Sequence, residues 1–203
     1  MEASKVILSE AERQLITDAN IILTKNSSIE KIGRQFAILA DIYRQLTLVL
    51  QQTHPAIFTV HPKISKGEKH QGLPWLMLDY PRTFDKKGHL AIRTFFWWGN
   101  FFSIQLQVSG IYLPGFIKLL PALLKKDNGW YSGLASDAWD MQLPNSYWLP
   151  ITNYNSTQQE EFVLKIAKKI PINEWENLEN ILMDQYQQLI KLIYLALSTE
   201  AVK

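Results

Sequence analysis

Two opposite charges stand inside the most apolar part of this 203-residue chain: Asp79 in LPWLMLDYPRTF (73–84) and Arg93 in HLAIRTFFWWGNFFSIQLQVSG (89–110). Taking an ion out of water costs on the order of several kcal/mol unless it is paired, so opposite charges in neighbouring apolar segments find each other. A guanidinium is a planar fork of donors that matches a carboxylate or a phosphate. The pair therefore supports two chemistries. It is either a structural ion pair that fixes strand register, or an anion site in which Arg93 holds a carboxylate or phosphate and Asp79 orients it.

Further candidates surround it. The polar stretch HPKISKGEKHQG (61–72) offers His61, Glu68 and His70 as metal ligands and Lys63, Lys66 and Lys69 as anion contacts. The ligand spacing fits no zinc or iron pattern, and SKGEKH lacks the GxxxxGK[ST] of a phosphate loop. The expected ligand set is thus Asp79, Arg93, Lys66, Glu68 and His70, with no metal and no cofactor. Asp137 and Asp140, near Trp130, Trp139 and Trp148, form a carboxylate pair among stacking surfaces, the equipment of a hydrolase acting on sugars. Thr94, Ser103, Gln105 and Gln107 would give one sheet face a polar lining. GxSxG, HExxH, GxGxxG and kinase signatures are absent, which leaves open whether the protein is an enzyme.

The composition narrows the class. No cysteine is present, so disulfides, thiolate metal sites and cysteine nucleophiles are excluded, and with no secretory signal or membrane span to be read, a cytoplasmic protein is expected. A formal charge of +2 is too even to imply nucleic-acid binding. The opening MEASKVILSEAER has no apolar core for a secretory signal, and residues 111–124 carry Lys118 and two prolines in a run too short to span a bilayer. No membrane association is expected. Hydrophobic residues at 47% in a chain of this length suit one domain, 1–203.

The elements that must position these residues follow from periodicity. Ser9 with Glu12 starts a helix that should stop near Lys25-Asn26, and Ser27 with Glu30 starts a second. In the second, Ile29, Ile32, Phe36, Leu39, Tyr43, Leu46 and Leu50 form one stripe of about seven turns that His54-Pro55 ends. The short connection implies an antiparallel helical hairpin. Residues 56–60 suit a first strand, and 61–72 a surface loop. Gly99-Asn100 suits a two-residue hairpin turn, which sets Trp97 against Phe102 and Arg93 against Leu106. Arg93 would then intrude on an otherwise apolar face. Asp85-Lys86-Lys87-Gly88 suits a type I turn closed by a left-handed glycine, with Asp79 diagonal to Arg93; because Pro81 has no N–H to give a ladder, either this strand is an edge strand with a local irregularity or it ends at Tyr80 and residues 81–89 form a longer loop. Residues 114–126 read as a helix interrupted by Pro121. Strands are candidates within 130–143 and 147–151, a helix at 157–169, and a last helix striped by Trp175, Leu178, Leu182, Tyr186, Leu189 and Ile193. The order predicts an α+β fold with a mainly antiparallel sheet, its central hairpins at 73–110, covered by long amphipathic helices from both termini.

The run KGE, GLP, LDYPR, RT.FWWGNFFS and SG, spread over residues 63–110, resembles an uncharacterised family of bacterial proteins of about 200 residues. The resemblance implies a bacterial source and brings no activity, cofactor or site residue with it. The leading expectation is a domain that binds a small anionic ligand near Arg93 and Asp79. The alternatives are a protein-interaction module using the aromatic hairpin 95–102, and a hydrolase using Asp137 and Asp140.

Overall fold

The computed structural model describes residues 6–124, 129–135 and 163–198. One antiparallel sheet is built from β1 (Lys63–His70), β2 (Leu73–Asp85), β3 (Gly88–Trp97), β4 (Phe101–Val108), β5 (Trp130–Ala135) and β6 (Val163–Ile170), in the order β1-β2-β3-β4-β6-β5. The helices among the described residues are α1 (Glu10–Thr17), α2 (Ala19–Leu46), α3 (Leu48–Thr53), α4 (Leu113–Leu124) and α5 (Leu178–Ser198). The fold is α+β, with the hairpins of 73–110 as its inner strands.

Helix periodicity explains the packed layer. Ile32, Phe36, Leu39 and Tyr43 recur every three or four residues on α2, and Leu178, Leu182, Tyr186, Leu189 and Ile193 do so on α5. Both stripes join one core with Leu76, Leu78 and Tyr80 of β2, Leu90, Ile92 and Phe96 of β3, the even-numbered residues of β4, and Leu164, Ile166 and Ile170 of β6. The Tyr43 and Tyr186 rings stack 3.7 Å apart, tying α2 to α5. The Tyr43 hydroxyl reaches the sheet at Thr94 Oγ1, 3.0 Å away.

Several sequence expectations are corrected. The helical stretch is divided at Asp18, not at residue 26: the Asp18 side chain accepts from the Asn20 N–H, and α2 runs unbroken to Leu46. Ser27 and Glu30 have the spacing of a capping box but lie inside that helix. A cap needs a non-helical residue, and nothing in IILTKN breaks the helix before Ser27. The helical hairpin expected at that point is not formed. Residues 55–58 are a 3₁₀ turn instead of a strand, and the expected surface loop contains edge strand β1. The helix expected at 157–169 is, over its described part, strand β6. Alternation there puts Leu164, Ile166 and Ile170 on the helix-covered side.

The central hairpin differs by one residue. Trp97 pairs with Phe101, Phe95 with Ser103 and Arg93 with Gln105, across a three-residue loop in which Gly99 takes φ +71°. A one-residue change in register moves a whole strand to the other face. Arg93 therefore shares its face with Ser103, Gln105 and Gln107, and the even-numbered apolar residues of β4 go to the helices. At the first turn, Asp85 pairs with Gly88, whose φ is not left-handed, and the Asp85 carboxylate accepts from the N–H groups of Lys87 and Gly88. The ladder is disturbed between Asp79 and Arg82, around a cis Tyr80–Pro81 bond. β1 pairing stops at Lys63–Asp79, so Pro81 has no β1 partner to which it would owe a donor. α4 continues through Pro121 to Leu124.

Candidate functional site

The sheet face turned away from α2 and α5 carries the candidate site, and strand pairing assembles it in rows. The central row runs Lys63, Asp79, Arg93, Gln105, Ala167, Tyr131 across β1, β2, β3, β4, β6 and β5. On one side lie Ser65, Met77, Phe95, Ser103 and Lys169; on the other, Arg82, Ala91, Gln107, Lys165 and Gly133. Beyond the first of these, Trp75, Trp97 and Phe101 with Met77 and Phe95 form a small aromatic cluster containing no helical residue.

Asp79 and Arg93 stand directly opposite each other instead of diagonally. Arg93 Nε donates to Asp79 Oδ1 at 2.7 Å and Nη2 to Oδ2 at 3.0 Å, a bidentate pair whose side chains are 1% and 6% exposed. Such a fork locks both side chains and leaves the Asp79 oxygens engaged. The pair is sealed.

The polar row on β4 is sealed as well. Ser103, Gln105 and Gln107 are all fully buried, as is Lys165 on β6. Gln105 Nε2 donates to Ser103 Oγ at 3.2 Å. Gln105 Oε1 and both amide atoms of Gln107 find no hydrogen-bond partner among the described residues. A buried polar atom without a partner costs about 1–3 kcal/mol, so three within two adjacent same-face residues mark a place where the fold gives up stability. Lys169, whose ammonium lies 4.8 Å from the Phe101 ring centre, is held below its usual pKa by burial.

The other expected ligand residues do not gather here. Glu68 pairs with Lys25 of α2, and Lys66 lies opposite Leu76, which faces the helices. His70 sits at the aromatic end of the face turned away from α2 and α5, edge-on to Trp97 at 4.8 Å and to Phe95 at 5.7 Å, and its carbonyl accepts from Trp97 Nε1. Of the expected set, only Asp79 and Arg93 are brought into contact. Among the described residues no group of three or more His, Asp or Glu side chains is placed to hold a metal. Asp137, Asp140, Trp139 and Trp148 lie outside the described residues. In the hairpin 95–102, Phe95, Phe96, Trp97 and Phe102 are buried, while Trp98 and Phe101 are half-buried.

Lys165 was not legible as a site residue, because its segment reads as a helix through Lys169 capped by Thr157 with Glu160. The signal that finds it is the period-two alternation of Val163, Lys165, Ala167 and Lys169 against Leu164, Ile166 and Ile170, interrupted at Lys168.

Two glycines of the KGE…SG run have steric roles. A Cβ on Gly67 would lie 2.6 Å from Nε1 of Trp75, so the glycine makes room for that indole. Gly110 has φ +58°, and a Cβ there would strike the carbonyl of Lys87. Ser109 Oγ accepts from the His89 N–H, and the Ile111 N–H donates to the Lys87 carbonyl. Ser109-Gly110 thereby ties the end of β4 to the β2–β3 turn. Comparison with protein-family models, curated proteins and solved structures returns no match. No helix among the described residues is long and apolar enough to cross a membrane.

Proposed function

We propose that this protein binds a small anionic ligand, a carboxylate or phosphate, on the sheet face turned away from α2 and α5. The observation that carries the reading is the set of three partnerless amide atoms on Gln105 and Gln107, beside a fixed Arg93–Asp79 pair. A glutamine amide offers both a donor and an acceptor, which suits a ligand with an ionised oxygen and a neutral polar group. Lys63 and Lys169, on the flanking strands of the same face, favour an anion. Arg93 and Asp79 form a rigid wall of this site, and Gln105 and Gln107 make the contacts. The reading includes a bacterial, cytoplasmic binding protein without a nucleic-acid or membrane partner, for which the KGE…SG resemblance and the even charge are the support.

The test is a thermal-shift screen of carboxylates and phosphates on the wild type and on Gln107→Met. Methionine keeps the volume and removes both partnerless atoms, so the unliganded variant should melt higher by a few degrees, at roughly 2–4 °C per kcal/mol for a domain of this size. A ligand that stabilises the wild type and not Gln107→Met is the expected result. A screen in which no anion shifts the wild type would overturn the proposal.

A further inference from the structure

The amino-terminal arm leaves a long apolar surface uncovered. α1 buries no residue, and Leu15, Ile16, Ile22 and Leu23 are 56%, 67%, 55% and 62% exposed. This surface continues the core stripe. From Ile32 the apolar phase of α2 runs back through Ile29 to Ile22, two turns earlier, beyond the part of the helix that the sheet buries. α1 has only 8 residues. Isolated helices shorter than about 12–15 residues are marginal in water, so α1 needs a partner surface to persist.

Charge says what that partner is. Residues 6–18 carry Glu10, Glu12 and Asp18 against Arg13, a net charge of −2, whereas residues 19–34 carry Lys25, Lys31 and Arg34 against Glu30, a net charge of +2, with Lys25 paired to Glu68 and Arg34 to Glu30 so that, among the described residues, Lys31 is the cation left for a partner. The arm is acidic at its tip and basic at its base, so it complements an antiparallel copy of itself. A two-fold axis lays each acidic α1 on the basic start of the other α2, twice in one dimer, as an isologous interface requires. Residues 6–31 also match roughly the 20–30 residues that one side of a standard interface contributes.

A cleft of about 480 Å³ opens at the base of the arm, lined by Lys31, Ile32, Phe96, Trp98, Phe102 and Trp175 among others. Lys31 forms no ion pair among the described residues. We propose that the chain forms a symmetric dimer by exchanging these arms, with α1 of each copy covering the cleft of the other and Glu10 facing Lys31. A membrane is a poorer occupant, because interfacial helices present a basic polar face and α1 is acidic.

The test is light scattering with size exclusion on the full chain over a range of concentrations, where the wild type is expected as a dimer. Ile22→Glu should yield a monomer with the wild-type circular dichroism spectrum. Glu10→Lys and Lys31→Glu should each weaken the dimer about tenfold, and an equimolar mixture of the two should regain it. That mixing readout stands even if Ile22→Glu fails to fold. A wild type that stays monomeric at every concentration overturns the proposal, as does a dimer untouched by all three substitutions. A monomer that sediments with anionic lipid vesicles overturns it in favour of a membrane surface.

Discussion

At the scale of single residues, the decisive feature is a charge pair almost wholly withdrawn from water. Asp79 and Arg93 are joined by two hydrogen bonds inside the sheet. Arg93→Ala should therefore cost about 3–5 kcal/mol, because Asp79 would be left as a buried charge without its fork. Replacing both, as Asp79→Leu with Arg93→Met, should recover most of that loss, since a buried pair is often no better than well-packed apolar residues of the same volume. Urea denaturation of the two variants measures both effects, and a single mutant as stable as the wild type would show that the pair contributes nothing. The same reasoning separates Arg93 from Gln107. The first is satisfied by Asp79, and the second carries its cost unrelieved. The site was only partly legible. Two charges in apolar strands announce a pair from sequence alone, whereas Gln105 and Gln107 become informative only when burial shows that water does not reach them.

At the scale of elements, the glycines at the ends of the central strands have unequal roles. Gly99 and Gly110 both have positive φ, but a Cβ on Gly99 meets nothing within 4 Å and one on Gly110 collides with the backbone of Lys87. Gly99→Ala should cost about 1–2 kcal/mol for the left-handed conformation alone. Gly110→Ala should cost more, because the turn joining β2 and β3 must also move; equal costs in chemical denaturation would contradict this account. These elements also show where local pattern reading succeeds. The stripe on α5 and the β2 and β3 runs are recognised because their period is sustained over many residues. β6 is missed because VLKIAKKI is short and preceded by a capping signature, and its strand state comes from pairing with β4 and β5.

At the scale of the whole molecule, the Tyr43–Tyr186 stack joins α2, α5 and the sheet through Thr94. Burial pushes both phenols above their ordinary pKa near 10. A group whose folded pKa is raised stabilises the fold fully below its unfolded value and loses that contribution as pH rises toward the folded one. The melting temperature should therefore fall as pH climbs above about 10, and Tyr43→Phe should make the fall shallower. A pH-independent melting temperature across that window, or an unchanged slope in Tyr43→Phe, would count against a buried neutral pair. The sequence by itself determined the α+β class, the striped helices, the inner hairpins, the irregularity at Pro81 and the meeting of Asp79 with Arg93. All of these rest on local periods, turn chemistry and the cost of unpaired charge. Only the tertiary structure decided which sheet face Arg93 occupies. Side chains alternate with a period of two, so one more residue in the Trp98–Asn100 loop exchanges the faces. That single step moved Arg93 from an apolar layer under the helices to a polar row beside Gln105 and Gln107, where the proposed ligand site lies.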